Sequence, residues 1–231
     1  MKRDYVPGTK YIIYQDENSF KYGTDSLILS SFAKVKGVCA DFGSGTGILC
    51  LRLIDKATKF INFEINENAV KLLNKSIIEN HLDDKIINYN IDISDVKNFV
   101  LHQSVDTIVI NPPYYNSGMR AGNDTIAKAR HSERLDDFVN AAKYMLKNGG
   151  TIYIVIAVER MIDLFILLRD ASIEPKKIRF VKKNFNSKAS LILVKAVKQA
   201  KCGFNIEQDL VLYENDKISH DFEKIYNNEE I

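Results

Sequence analysis

The tetrapeptide Asn111-Pro112-Pro113-Tyr114 joins a carboxamide, two prolines and an aromatic ring. Proline carries no N–H, and a residue before proline is held extended, so Asn111 and Pro112 present carbonyl oxygens with few competing donors nearby. Where the Asn111 side-chain oxygen and the Pro112 backbone carbonyl converge, they suit a planar NH2 group on an sp2 carbon. Tyr114 can cover the ring that carries it. An adenine, a cytosine or a primary amide fits. The plainer alternative is a Pro-Pro turn that ends a strand beside an incidental tyrosine.

Stepping outward, residues 105–110 (Val-Asp-Thr-Ile-Val-Ile) read as a buried parallel strand that Pro112 forbids from continuing. A similar strand at 37–42 runs into Gly43-Ser44-Gly45-Thr46-Gly47 and a helical run at 48–57. Such a turn lets backbone approach a ligand and offers unpaired N–H groups. Its G-x-G-x-G spacing, with Asp41 before it, departs from the dinucleotide G-x-G-x-x-G and argues against NAD. A strand at 59–64 ends in Glu64, about twenty residues beyond the loop, where a carboxylate can accept both hydroxyls of a ribose. Asn66 caps a helix at 67–80, and a strand at 86–91 leads to Asp92. Between Ile91 and Ile93, Asp92 either receives the amine of a bound adenine or caps the next helix.

The flanking segments carry weaker signals. Near the start, 11–15 alternates like a short strand, Asp25-Ser26 can cap a helix at 27–33, and the loop 20–24 can line a ligand site. After the tetrapeptide, 115–132 reads as a long polar loop containing Gly118, Arg120, Gly122, Lys128, Arg130 and His131. A helix at 135–147 is expected to stop at Gly149-Gly150, followed by a strand at 151–158 and a helix at 161–171. Strands 177–183 and 190–197, joined by the turn 184–188, must be antiparallel, with the hairpin tip at the same sheet edge as Asn111. The acidic stretch 214–231 is either a docked helix or a loose tail.

At 231 residues the chain suits one domain, with 1–36 as an extension contributing to the site. It has no apolar run near membrane-spanning length and no leader-like start, so a soluble cytoplasmic protein is expected. Cys39, Cys50 and Cys202 lack CxxC spacing, and His81, His102, His131 and His220 are scattered, so free thiols and no metal are expected. The net charge is only +2, yet its distribution is uneven. Residues 176–201 hold nine Lys or Arg and no acid, whereas 202–231 hold eight acids and two Lys. That segregation permits a basic, nucleic-acid-facing edge, or equally a lysine-protected sheet edge.

The ordered set Asp41-Phe42-Gly43-Ser44-Gly45-Thr46-Gly47, Glu64, Asp92 and Asn111-Pro112-Pro113-Tyr114 resembles class I S-adenosylmethionine-dependent amino-methyltransferases. The stretch 15–32 and Ala129-Arg130-His131 are similar to the bacterial tRNA1(Val) adenine-N6 methyltransferase family. The resemblance implies an α/β Rossmann-like class I methyltransferase fold, with a seven-stranded, mostly parallel sheet, the last strand antiparallel, and helices on both faces. It implies S-adenosyl-L-methionine as cofactor, tRNA as partner, a monomer, and N6-methylation of the adenine 3′ of a valine tRNA anticodon. It further implies Asp41, Gly43, Ser44, Gly45, Thr46 and Gly47 around the methionine part, with Gly23 and Thr24 at its carboxylate. Glu64 falls on the ribose, Asp92 at the adenine amine, and Asn111, Pro112 and Tyr114 at the acceptor base. Arg120, Lys128, Arg130, His131, Lys182, Lys183 and Lys188 are candidate RNA contacts. Enzymes that methylate a release-factor glutamine share the tetrapeptide but usually carry a longer helical N-terminal domain. A non-catalytic RNA-binding protein of the same fold is the other alternative.

Overall fold

The computed structural model describes residues 1–16, 21–112 and 124–231, the side chains of 124–134 excepted. The chain begins with an antiparallel hairpin, β1 (Lys2–Tyr5) and β2 (Ile12–Gln15), and then α1 (Thr24–Phe32). Strands and helices then alternate: β3 (Val38–Phe42), α2 (Ile48–Leu53), β4 (Lys59–Glu64), α3 (Glu67–Glu79) and β5 (Ile86–Asn90). A 3-10 segment, Ile93–Asn98, precedes β6 (Val105–Ile110); α4 (Asp124–Met145), β7 (Leu146–Ala157) and α5 (Met161–Asp170) follow. The last long strands are β8 (Ile173–Lys182) and β9 (Ala189–Lys198). Short strands β10 (Asn205–Ile206), β11 (Leu210–Val211), β12 (Tyr213–Glu214) and β13 (Lys217–Ile218) lead to α6 (His220–Tyr226).

Among the described residues the main sheet runs β10-β8-β9-β7-β6-β3-β4-β5, with β11 also on β8. β9 is antiparallel to both β7 and β8, and the other long-strand pairs are parallel. The seven long strands therefore match the expected fold, and β10 and β11 extend it along β8. Strands apolar on both faces need a cover on each side. One face carries α1, α2, α3 and α6 around Cys39, Phe60 and Val109. The other carries α4, α5 and the 3-10 segment around Phe42, Phe63, Ile108 and Ile110.

Three local expectations are corrected. The segment 124–132 is the start of α4 rather than loop, because its alanines and charged residues are good helix formers even without an apolar stripe. That helix ends at Met145, short of Gly149-Gly150, because Leu146 is drawn into β7 opposite Val105. Its last carbonyls are served from another strand: Lys198 Nζ donates to Lys143 O at 2.6 Å and Leu146 O at 2.8 Å. A cation at a helix C-terminus does there what a glycine cap would do. Helix α1 starts earlier than expected, with Gly23 at its N-cap, so Asp25 and Ser26 lie inside the first turn. Asn66 does cap α3, accepting from Asn68 N and Ala69 N.

The acidic C-terminal stretch is docked. Phe222 and Ile225 of α6 are buried in the α1/α2 face, and one buried guanidinium joins the two ends of the chain. Arg52, 2% exposed, donates to Pro7 O at 2.9 Å, to Ser31 Oγ at 3.4 Å and to Ile225 O. Burial pushes its pKa down to about 10, and the carbonyl dipoles offset part of that desolvation. Arg52→Ala removes the side-chain donor from Pro7 O and leaves Ile225 O with its backbone donor Asn228 N. It is expected to lower the unfolding free energy by about 2–4 kcal/mol in urea titration, with Arg52→Lys intermediate; an unchanged midpoint would assign the docking of α6 to apolar contact alone.

Candidate active site

β3 lies between β4 and β6, so the chain order reverses across the β3/β6 boundary. A crevice forms beyond the strand ends at such a reversal. The glycine turn leaves β3 there. Gly47, at φ 89°, caps α2, and a Cβ on it would lie 2.2 Å from Leu73 Cδ1. A larger residue at this helix start would force the Leu73 side chain to shift and would be strained at this positive φ. At Gly45, by contrast, a Cβ would meet nothing within 4 Å, so the turn faces open space. Gly43 N and Ser44 N both donate to Phe63 O, at 2.9 and 3.1 Å, which ties the turn to the end of β4.

Glu64, at that strand end, accepts from Gly45 N through Oε2 and from Asn66 N through Oε1, each at 2.8 Å. Two backbone donors thus orient the carboxylate, and each oxygen retains a lone pair for a further donor. Asp41 stands otherwise. It is 1% exposed, and neither of its oxygens has a hydrogen-bond partner among the described residues, nor has Ser44 Oγ. Burial, reinforced by the charge of Glu64, raises its carboxyl well above the usual range. The neighbouring Asn62 does not relieve it, since its amide donates to Cys50 Sγ at 3.3 Å. A buried acceptor left unmade costs about 1–3 kcal/mol. The pair Asp41 and Ser44 is therefore complementary to donors from outside the chain, such as an ammonium.

Asp92 follows β5 and caps the 3-10 segment, accepting from Ser94 N at 3.1 Å and Ser94 Oγ at 3.0 Å through Oδ1. Ile93 beside it is buried in the α4 face. Ile65 is an exposed apolar group near this edge. It follows Glu64 and is 51% exposed, its carbonyl held by Asn90 Nδ2 at 3.1 Å.

Asn111 ends β6. Its Nδ2 donates to Ser26 Oγ, in the first turn of α1, at 2.8 Å, and its Oδ1 is buried without a partner among the described residues. Gly23 and Thr24, which open α1, share that neighbourhood, and Pro112 follows directly. Tyr114 and Arg120 lie outside the described residues, while Lys128, Arg130 and His131 fall on the first half of α4, described here as backbone. Asp41, the glycine turn, Glu64, Asp92, Asn111 and α1 thus gather at one sheet edge.

The basic hairpin is partly neutralised. Lys182 pairs with Asp209 at 2.6 Å, Arg179 with Asp221 at 2.8 Å, and Lys177 with Glu207. All three acids come from residues 202–231, where β10 and β11 lie along β8. Lys183 and Lys188 remain exposed at the tip. Between them Phe185, which the sequence reading passed over, is 67% exposed. The turn under it is fixed by Asn186 N to Asn184 Oδ1 at 3.1 Å and Asn184 N to Ser187 Oγ at 2.9 Å.

Residues 17–170 match the family model described as the Methyltransferase small domain. A tRNA1(Val) (adenine(37)-N6)-methyltransferase of Cytophaga hutchinsonii is 25% identical over 171 residues, covering 71% of each chain. A protein of the same name from Parabacteroides distasonis is 24% identical over 184 residues, 77% of this chain and 76% of its own. A structure described as a predicted O-methyltransferase of Agrobacterium tumefaciens superposes with a TM-score of 0.72 at 15% identity, covering 89% of this chain and 97% of its own. With the reversed-order parallel sheet and the glycine turn at its switch point, these matches mean that the chain belongs to the methyltransferase small domain family and is an S-adenosyl-L-methionine-dependent methyltransferase.

Proposed function

We propose that the protein methylates the N6 amine of an adenine in tRNA, the adenine 3′ of the anticodon in valine tRNA, as a cytoplasmic enzyme. The observation that carries this reading is the buried Oδ1 of Asn111 at the switch-point end of β6, which has no partner among the described residues. It is an acceptor without a donor, at the place where a planar amine would complete it. The names of the similar proteins point to the same substrate. No helix among the described residues is long and apolar enough to cross a membrane.

The site's polar groups fit the cofactor. Asp41 and Ser44 lack donors that an amino-acid ammonium and its neighbours can supply. Glu64 is aligned for ribose hydroxyls, Asp92 stands at the next strand end, and Ile65 offers an apolar face for a ring. When bound, the cofactor supplies an electrophilic methyl group on a sulfonium. The chain's own contribution is alignment. An adenine amine is a weak nucleophile because its lone pair is delocalised into the ring. Acceptance of its hydrogens by Asn111 Oδ1 and the Pro112 carbonyl favours a pyramidal nitrogen and points the lone pair at the methyl. No strong base is needed, since the methylated ammonium loses its proton to these acceptors or to water. A base in an unpaired loop also escapes the cost of extraction from a duplex. At the hairpin tip, Phe185 offers a stacking face and Lys183 and Lys188 offer phosphate contacts, while Lys182 is engaged by Asp209.

The deciding experiment incubates the protein with labelled cofactor and either unmodified tRNA or a release factor. Label in N6-methyladenosine at the position after the anticodon is expected; label on a release-factor glutamine overturns the reading. In the same assay Asn111→Ala should lower kcat by about 10²–10³-fold while cofactor affinity changes little. Lys183→Glu with Lys188→Glu should weaken tRNA binding and flatten its salt dependence by about two counterions, and Phe185→Ala should weaken it by about 1–3 kcal/mol without altering the salt slope.

Asp41 gives a prediction of opposite signs. Its folded-state pKa is raised, so its favourable contribution to the cofactor-free fold is present below the unfolded carboxyl pKa and is lost as pH rises through the folded value. At neutral pH Asp41→Asn should therefore raise the unfolding temperature by a few degrees, a gain that fades on acidification toward about pH 4. The same substitution should weaken cofactor binding in calorimetry. Loss of stability with unchanged affinity would remove Asp41 from the site.

A further inference from the structure

Among the described residues, one side-chain hydrogen bond links the N-terminal segment to the tetrapeptide. Ser26 is 5% exposed in the first turn of α1, and its Oγ accepts from Asn111 Nδ2 at 2.8 Å across 85 positions of sequence. A carboxamide carries donor and acceptor on opposite arms of one plane. In the observed arrangement Ser26 Oγ accepts from the nitrogen arm, which leaves the oxygen arm as a buried atom without a partner among the described residues. Rotation by half a turn would present an NH2 group in its place, which repels an incoming amine. The residue before a proline has a restricted backbone, so the side-chain torsions are the remaining freedom of Asn111.

We infer that Ser26 is a positioning residue for methyl transfer: its hydroxyl holds the Asn111 carboxamide with the carbonyl oxygen turned to the acceptor nitrogen. This rests on the reading of Asn111 as the acceptor-amine ligand. It gives the N-terminal segment a part in the chemistry, because α1 is packed against α2 and α6 and brings a rigid hydroxyl to the end of β6.

The test compares Ser26→Ala, Ser26→Thr and Asn111→Ala with the wild type. Ser26→Ala should lower kcat by about tenfold with the RNA KM and the cofactor affinity within about twofold, and Ser26→Thr, which keeps the oxygen, should restore most of the rate. Independently of activity, the Asn111 side-chain NH2 should exchange its hydrogens with solvent about tenfold faster in Ser26→Ala than in the wild type by NMR. An unchanged kcat in Ser26→Ala, beside an inactive Asn111→Ala, overturns the positioning role and leaves the acceptor reading standing. Wild-type turnover in Asn111→Ala overturns both. Equal exchange rates in Ser26→Ala and wild type overturn the anchoring bond itself.

Discussion

The parallel pairing of β3 with β4 on one side and β6 on the other is the constraint from which the site follows. Each strand ends at the same edge, so Asp41-Phe42, Glu64 and Ile110-Asn111 arrive together although they are spread over 71 residues. Parallel strands cannot be joined by a tight turn, and each crossover must return over a face of the sheet. The helices that cover the two faces are therefore a consequence of the pairing that builds the edge. Gly47 shows how tight the coupling is, since a Cβ there would lie 2.2 Å from Leu73 Cδ1 on α3.

The edge is also where buried polar groups are left unsatisfied. Asp41, Ser44 and Asn111 each hold acceptors out of water without a donor among the described residues. A sheet buried on both faces offers little solvent to compensate them. Such groups destabilise the free protein and are relieved by a ligand that brings the missing donors. The rest of the fold must carry that burden, and the two large aliphatic and aromatic clusters on the sheet faces do so.

Both ends of the chain serve this arrangement. The β1–β2 hairpin is bound to α3 by Tyr14 N to Ser76 Oγ at 2.9 Å and by reciprocal bonds between Asn80 and Ile12 at 2.8 and 2.7 Å. α6 closes over α1 and is held by Arg52. The acids of residues 202–231 return to the basic strand β8, so charge that is segregated along the sequence is paired in space. At the hairpin tip, Lys183 and Lys188 beside Phe185 have no acidic partner among the described residues.

By itself the sequence determined the alternation of strands and helices, the glycine turn, the acid at the end of β4 and the strand-stopping tetrapeptide. These follow from local rules: β4 and β6 have the boundaries that their apolar runs imply, and Asn66 caps α3 as its type and place require. Even the antiparallel last strand was legible, because a short turn permits no other pairing. Only the tertiary structure decided the partners of polar groups that meet across long separations. Ser26 reads locally as a helix cap and becomes the anchor of Asn111; Lys198 reads as an edge lysine and becomes the cap of α4; Lys182 reads as an RNA contact and is taken by Asp209. The physical reason is the same in each case. A backbone preference is set by neighbours within a few residues, whereas a hydrogen bond or ion pair is set by whichever group the fold brings within 3 Å or so, and no local pattern encodes that meeting.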